Sequence, residues 1–570
     1  MKTNKAFWIL LAVCALSILP FIGQTEFYTK GEPRESVVAL TMLKTGNWIL
    51  PENNGGDIPY KPPFFHWCIA AFSLITGSVN EYTSRLPSAL AVIIMTMVGF
   101  CFFAKRRGVQ VAFIASAVLF TAFEIHRAGV NCRVDMVLTA AVVCAIYSLY
   151  RWWERGLKGF PLVAVLCMSV ATLTKGPVGA LLPCLVAGVF LLLHGYKFWR
   201  VFLYMFGLGI CSMVLPLCWY VAAYQQGGES FLSLVCEENF GRFTGQMTYE
   251  SHEEPLYYNI ITLISGFAPW TLLILFSLFG LKYKKPDCTF KQFFNRIWTG
   301  FRGMDPCRQY SLLAAVLIFV FYCIPSSKRS VYIMPVYPFV AYFIAEYMLW
   351  LVKKHSLSVK IYGSVLSVVF ILVFLVFVIV KLDFVPSSLI SGKNAAENMA
   401  LIRSLSDVNI FISLFALVPI VLSAMWMACE RHMVTVRHLY LLIALTFGFY
   451  IAFDAVYQPA VLKPQSVKGL AAKVNEIVPE GNIYSFKEVD LKEYGNPLHF
   501  FGLNYYLNDR VRIFAKDKPA EGYIWMTVDD VYGIFADVFP DYELEEVFRA
   551  DRRYDGAKDI QGLFKFKKVR

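Results

Sequence analysis

The sequence predicts a polytopic α-helical membrane protein carrying a small C-terminal α/β domain. Three observations carry that reading. Of 570 residues, 57% are hydrophobic and only 16% charged, with a mean hydropathy of +0.53, which is far too apolar for a soluble globular chain. Apolar runs meeting the ~20-residue spanning criterion recur about thirteen times, several of them interrupted by Gly or Pro. They fall near 7–23, 84–104, 110–125, 134–151, 159–174, 177–195, 201–224, 257–281, 310–325, 331–352, 359–381, 407–429 and 439–457. Basic residues crowd alternate connections: Lys105 to Arg107; Arg151, Arg155 and Lys158; Lys197 and Arg200; Lys282 to Arg308; Lys353 and Lys354; Arg431 and Arg437. The positive-inside rule makes that side cytoplasmic and puts the first loop and the C-terminal tail outside. These connections account for most of the net charge of +12, so topogenic charge, not nucleic-acid binding, explains the basic balance.

The first apolar run has a positive flank but no convincing small-x-small cleavage site, and is expected to be retained as the first span. The loop that follows, residues 24–83, opens with charged residues that exclude it from lipid. Glu32-Pro33-Arg34 begins a helical pattern with Val37, Val38, Thr41 and Met42 on one face, read as an amphipathic helix on the membrane surface. After the turn at 53–56, Asp57-Ile58-Pro59-Tyr60-Lys61-Pro62-Pro63 holds a lone cation in a proline-stiffened backbone at the boundary, suited to a lipid phosphate. Residues 64–77 are apolar but bracketed by charges on one side, and read as re-entrant or interfacial.

The next outer loop, 124–135, is dense in ionisable residues. Asp135 enters a span and is therefore a site candidate, with an ion pair to Arg133 or Arg127 as the plainer alternative. Thr174-Lys175-Gly176-Pro177 breaks two apolar runs on the same side, giving either an anion site or a tight turn with a snorkelling Lys. A second outer segment, 225–256, mixes charges with aromatics and contains His252; it reads as an interfacial element folded over a site. Lys328 and Arg329 stand on the outer side against the charge rule, and a phosphate is the reason that suggests itself.

From about 461 the composition turns polar, with strand-like runs at 482–486, 512–514, 523–526 and 563–566 and helical patterns near 465–478 and 527–539. This divides the chain into a membrane module, 1–460, and a soluble α/β domain, 461–570. The domain carries no phosphate loop, Ser/His/Asp spacing or metal cluster, and reads as accessory. The 14 cysteines lie mostly in expected spans and suggest no disulfide framework or zinc pattern.

Five strings, GEPRESVVALTMLKTGNWILP, PYKPPFFHW, RVDMVL, LTKGPVGALLP and YIMPVYP, occur in this order on the outer side. Through them the chain resembles the membrane glycosyltransferases of GT-C type that use polyprenyl-phosphate sugars. It looks closest to the bacterial branch that includes the lipid A aminoarabinose transferase, with protein O-mannosyltransferases more distant. The resemblance covers residues 1–350 and implies transfer of a sugar from undecaprenyl phosphate to a lipid or glycan acceptor on the periplasmic face of the inner membrane. It assigns Lys61 to the donor phosphate, Asp135 to a conserved acidic position and Tyr332 to the aromatic near that phosphate. The family usually reads Asp-Glu-x-Arg-Tyr in the first loop, whereas this chain has Gly31-Glu32-Pro33-Arg34-Glu35. The catalytic acid is expected at Glu32, with Glu35 as the position to which that role has otherwise moved.

The chemistry is consistent with those assignments. Displacing a phosphate from an anomeric carbon needs charge on the leaving group to be stabilised, which Lys61 with Arg34, Lys175, Lys328 or Arg329 supplies. Glu32 or Asp135 serves as general base toward a hydroxyl acceptor, while an already ionised acceptor phosphate needs none. Glu35, Arg133 and His252 are the expected acceptor contacts, and the scheme calls for no metal or cofactor. A secondary transporter and an envelope polysaccharide ligase or polymerase are the competing readings. Against the transporter, the charges cluster in outer loops and no repeated halves are visible.

Overall fold

The computed structural model describes residues 2–569 apart from 54, 60, 239–252, 280, 282–288, 387–394, 430–434, 487–499, 529–533 and 555–558. Among the described residues, eight helices are long and apolar enough to cross a membrane. Two bent pairs raise the number to ten: α5 (Val109–Phe120) with α6 (Phe123–Gly129), and α11 (Tyr258–Gly266) with α12 (Trp270–Leu278). The other three expected spans coincide with shorter apolar helices, α1 (Thr3–Ile18), α8 (Leu162–Lys175) and α9 (Val178–Leu193). Each expected run thus has a helix, though these three fall short of the ~20 residues of a perpendicular crossing. The shortness of α8 has a local cause: Gly176 takes a φ of +89° as its C-cap and Pro177 starts the next helix, a turn no continuing helix can make. The chain is a multi-pass membrane protein.

The core lies between α1, α4 (Glu81–Arg107), α5, α7 (Val134–Glu154) and α15 (Tyr337–Lys354). Ala89, Ala112, Ala117, Ala140 and Ala341 sit there among Phe100, Phe103, Tyr147 and Tyr342, and such small residues let apolar helices approach closely. On the lipid side, α10 (Phe198–Cys236) displays Trp199, Phe202, Leu203 and Phe206.

The first loop departs from the sequence expectation. α2 (Gly31–Thr45) forms as read, ending at Gly46 with φ +73°, but it is covered on both sides where an amphipathic surface helix was expected. Glu32, Glu35, Ser36, Val37, Val38, Ala39, Thr41 and Met42 are all buried, because one side of the helix packs on the membrane module, through Glu32, Ser36 and Ala39, and a second layer covers the other. That layer is the C-terminal domain. The Thr41 hydroxyl lies 3.3 Å from Asp509 Oδ2, and Lys44 Nζ donates to the Asn508 carbonyl at 3.2 Å. Phe27, Val37 and Tyr505 form a small apolar cluster. Tyr506 accepts from the Phe27 N–H at 3.0 Å and donates to Glu81 at 2.9 Å, and Lys468 pairs with Glu81 at 3.0 Å. The 64–77 stretch is α3 (Phe64–Thr76), an apolar helix too short to be counted as a span and packed on α2 and α4.

The C-terminal domain is a five-stranded mixed sheet in the order β2-β1-β3-β5-β4. β1 (Ile483–Ser485) runs parallel to β2 (Val511–Ile513) and β3 (Glu521–Thr527), while β5 (Gln561–Lys568) is antiparallel to β3 and β4 (Tyr542–Arg549). The sequence reading missed β4. Its run YELEEVFR carries three glutamates on an edge strand that is mostly exposed, where charge guards against edge pairing. A helix at Lys468–Ile477 packs on the sheet as expected.

Candidate functional site

Two glutamates one helical turn apart on α2 face different partners. Glu32 is wholly buried: its Oε1 accepts from Arg85 Nε at 2.8 Å and from the Cys132 N–H at 3.0 Å, and its Oε2 accepts from Arg85 at 3.2 Å. Arg85, in the second turn of α4, is equally buried and also donates to the Ile22 carbonyl at 2.8 Å. The pair ties the end of the first span, α2, α4 and the loop before α7 into one knot. Glu32 was expected as the catalytic acid; in the structure its carboxylate is engaged by Arg85, by the Cys132 N–H and, at 3.5 Å, by the Thr29 hydroxyl.

Glu35 is the carboxylate that meets the loop cations. Lys61 Nζ donates to its Oε1, which also receives Arg34 at 3.2 Å, and His66 Nε2 donates to Oε2 at 2.9 Å. Burial alone would raise the Glu35 carboxyl, but Lys61, then His66 and Arg34, hold it well below the usual carboxylate range. His66 is buried on α3 with no hydrogen-bond partner at Nδ1. Sequence reasoning passed over His66 because it sits in the apolar run PFFHW. The available signal was its placement five residues after Lys61, on the first turn of the helix that Pro62-Pro63 starts.

Beside this cluster lies a second pair. Asp135, in the first turn of α7, receives Lys175 Nζ from the end of α8, and Lys61 and Arg133 lie within its electrostatic reach. Asp135 therefore pairs with neither Arg133 nor Arg127; Arg127 instead binds Glu124 at 2.6 Å. The break at 174–177 aims Lys175 at this carboxylate and over the Tyr332 ring, 4.1 Å from its centroid, a cation–π contact. Arg133 caps α7, with a buried Nε that has no partner and an Nη1 3.6 Å from where a Cβ on Gly31 would sit.

Other expected contacts fall elsewhere. Lys328 is buried, and its ammonium donates to the Glu254 and Ser326 carbonyls at 2.8 and 3.2 Å, stapling the end of the second outer segment to the 326–328 turn. Arg329 is exposed at the start of the 3₁₀ turn Ser330–Val336 that carries Tyr332. His252 lies outside the described residues. Among the described residues, no three His, Cys, Asp or Glu side chains group closely enough to hold a metal ion. The arrangement is thus two carboxylate–ammonium pairs, Glu35–Lys61 and Asp135–Lys175, flanked by Arg34, Arg133 and an aromatic face. An incoming phosphate can exchange for the carboxylates on those ammonium groups and leave the carboxylates to the acceptor.

Residues 60–220 match the family described as dolichyl-phosphate-mannose-protein mannosyltransferase. An uncharacterized protein of Aquifex aeolicus is 26% identical over 60% of this chain, and an undecaprenyl phosphate-alpha-4-amino-4-deoxy-L-arabinose arabinosyl transferase of Shewanella sediminis is 24% identical over 66% of it. The matches span 63% and 66% of those relatives' own lengths. Among solved structures, ArnT from Cupriavidus metallidurans bound to undecaprenyl phosphate superposes with a TM-score of 0.70 at 18% identity, over 99% of this chain and 98% of that one. The chain has the fold of that protein over nearly its whole length.

Proposed function

We propose that this multi-pass membrane protein, which has the GT-C fold, is a glycosyltransferase. In this reading it moves a sugar from an undecaprenyl-phosphate-linked donor to lipid A or another envelope lipid or glycan. The observation that carries the proposal is the paired Glu35–Lys61 and Asp135–Lys175 cluster, set between α2, α3, α7 and α8 in a chain of that architecture. Lys61, Arg34 and Lys175 receive the donor phosphate and stabilise the charge it gains as the anomeric bond breaks, with Tyr332 packed against Lys175. Glu35, ionised at neutral pH, faces the acceptor and takes its proton if the acceptor is a hydroxyl. Asp135 holds Lys175 in position until the phosphate arrives, and Arg133 contributes charge on the acceptor side. Glu32 acts through Arg85 as a positioning residue.

The basic connections at the opposite ends of the spans support a location of the cluster on the periplasmic face of a bacterial inner membrane. Residues 1–460 form the catalytic membrane module and 461–570 a periplasmic domain whose task is to seat α2. The test is transfer of radiolabel from an undecaprenyl-phosphate sugar to a lipid fraction by purified protein. Wild type transfers; Lys61→Ala loses a charge-assisted contact worth about 1.5–3 kcal/mol. Absence of transfer from every undecaprenyl-phosphate sugar supplied, together with solute uptake into sealed vesicles, overturns the reading in favour of a transporter.

A further inference from the structure

Helix α13 (Phe290–Arg302), FKQFFNRIWTGFR, lies outside the site and is the most sharply two-faced helix among the described residues. At about 100° per residue, Phe290, Phe293, Phe294, Ile297, Trp298 and Phe301 fall within an arc of roughly 140°. Lys291, Gln292, Asn295, Arg296, Thr299 and Arg302 occupy the remainder, and the helix contains no acidic residue. None of its residues is buried: Phe290 is 80% exposed, and Phe294, Ile297 and Trp298 are each 52% exposed. The helix is nonetheless well begun, with Thr289 and Gln292 forming a reciprocal capping box. A contiguous apolar face of this size is not left in water.

Its place in the fold says what covers it. Four residues beyond its end, Pro306 starts the span α14 (Pro306–Cys323), capped by Asp305, so α13 ends at the edge of the bilayer. Between α13 and that span is a cavity of about 560 Å³ lined by Arg107, Arg296, Ile297, Phe301, Asp305 and Arg308. Arg107 is the last residue of α4, a helix of 27 residues whose second turn carries the Arg85 that grips Glu32. At about 1.5 Å per residue the two ends of α4 are roughly 40 Å apart, so this cavity and the Glu35–Lys61 cluster lie at opposite faces of the membrane. Two acids answer the three arginines: Arg107 pairs with Asp305 at 3.5 Å and with Glu346, and Arg308 with Glu346 at 3.6 Å. Arg296 adds a third positive charge to those two pairs.

We propose that α13 lies in the headgroup region of the leaflet opposite the Glu35–Lys61 cluster and that it binds anionic phospholipid there. Its phenylalanine and tryptophan face enters the acyl boundary, Lys291 and Arg302 border that face, and Arg296 with Arg308 takes a lipid phosphate in the cavity. Aromatic-plus-basic helices bind membranes by the sum of apolar burial and attraction to anionic headgroups, and guanidinium groups match phosphate geometry. A partner protein or a second copy would also cover an apolar face. The lack of any acid on the helix and its direct run into a span favour lipid.

Two measurements on the full-length protein test this. A photoreactive p-benzoylphenylalanine replacing Trp298 in native membranes is expected to yield phospholipid adducts, whereas one replacing Gln292 on the polar arc yields none. The purified protein is expected to retain phosphatidylglycerol over phosphatidylcholine by about fivefold or more in native mass spectrometry. The triple change Lys291→Glu, Arg296→Glu, Arg302→Glu brings that ratio toward one. Adducts of the Trp298 probe to protein alone, or equal retention of the two lipids by the wild-type chain, overturn the proposal. Neither outcome depends on the triple variant folding.

Discussion

Arg85 Nε lies 2.8 Å from Glu32 Oε1, with both side chains excluded from solvent. One turn along the same helix, Glu35 receives Lys61, Arg34 and His66. Two carboxylates of the same motif are thereby divided, one paired with a single buried arginine and one shared by two cations and an imidazole.

The first consequence concerns stability. Arg85→Ala leaves a buried carboxylate without its counter-ion, a loss of about 3–5 kcal/mol. Thermal melting in detergent should fall steeply for Arg85→Ala, and the surviving folded fraction should keep the wild-type KM for donor. The double change Arg85→Met with Glu32→Gln should recover much of the lost melting temperature, because no charge then remains buried.

Glu35→Gln should separate binding from turnover. Removing the carboxylate takes away an anion that competes with the donor phosphate for Lys61, so KM for donor should fall, while loss of the base should lower kcat about a hundredfold if the acceptor is a hydroxyl. Steady-state kinetics on labelled donor reads both. A rise in KM with unchanged kcat would instead make Glu35 a donor contact.

Gly31 stands beside Arg133, with 3.6 Å between its absent Cβ and the guanidinium. Gly31→Asp therefore has room, and an acid at the first position of α2 also suits the helix dipole, by about 0.3–1 kcal/mol. The variant should melt higher than wild type. Its transfer activity should fall if Arg133 contacts the acceptor, because the new carboxylate occupies that guanidinium.

Asp57 faces the C-terminal domain. Burial, opposed by Lys516 and reinforced by Asp509, raises its carboxyl from an ordinary 3.8 to about 6. The native state thus holds the proton more tightly than the unfolded chain. Stability contributed by protonated Asp57 is present below about pH 4 and lost as pH rises through 6. Asp57→Asn should raise the melting temperature at pH 8, by the equivalent of about 2–3 kcal/mol, and leave it unchanged at pH 4. A pH-independent difference between the two proteins would show that the ionised form is not penalised.

The membrane architecture was legible because lipid imposes its own statistics on sequence: apolar runs of fixed length and cations on alternate connections. Lys61 and Lys175 were legible for a related reason, since a cation beside Pro at a span boundary interrupts those statistics. The division of labour between Glu32 and Glu35 was not. It depends on Arg85, which reads locally as a charge at a helix start, and on His66, which reads as part of an apolar helix. Burial of α2 was likewise hidden, because Tyr505, Tyr506 and Asp509 come more than four hundred and fifty residues after it. The amphipathic face of α13 was masked by its basic residues, which the charge rule accounts for without any reference to a helix.

Tyr506 holds the Phe27 amide and the Glu81 carboxylate together, so the covering of α2 is supplied by a stretch made after the last described span, which ends at Gln465. Until the terminal domain has docked, the Val37 side of α2 has no roof, although the partners of Glu32 and Glu35 are already made. A chain ending between residues 466 and 504 keeps every described span yet lacks this cover, and is expected to melt below the whole protein.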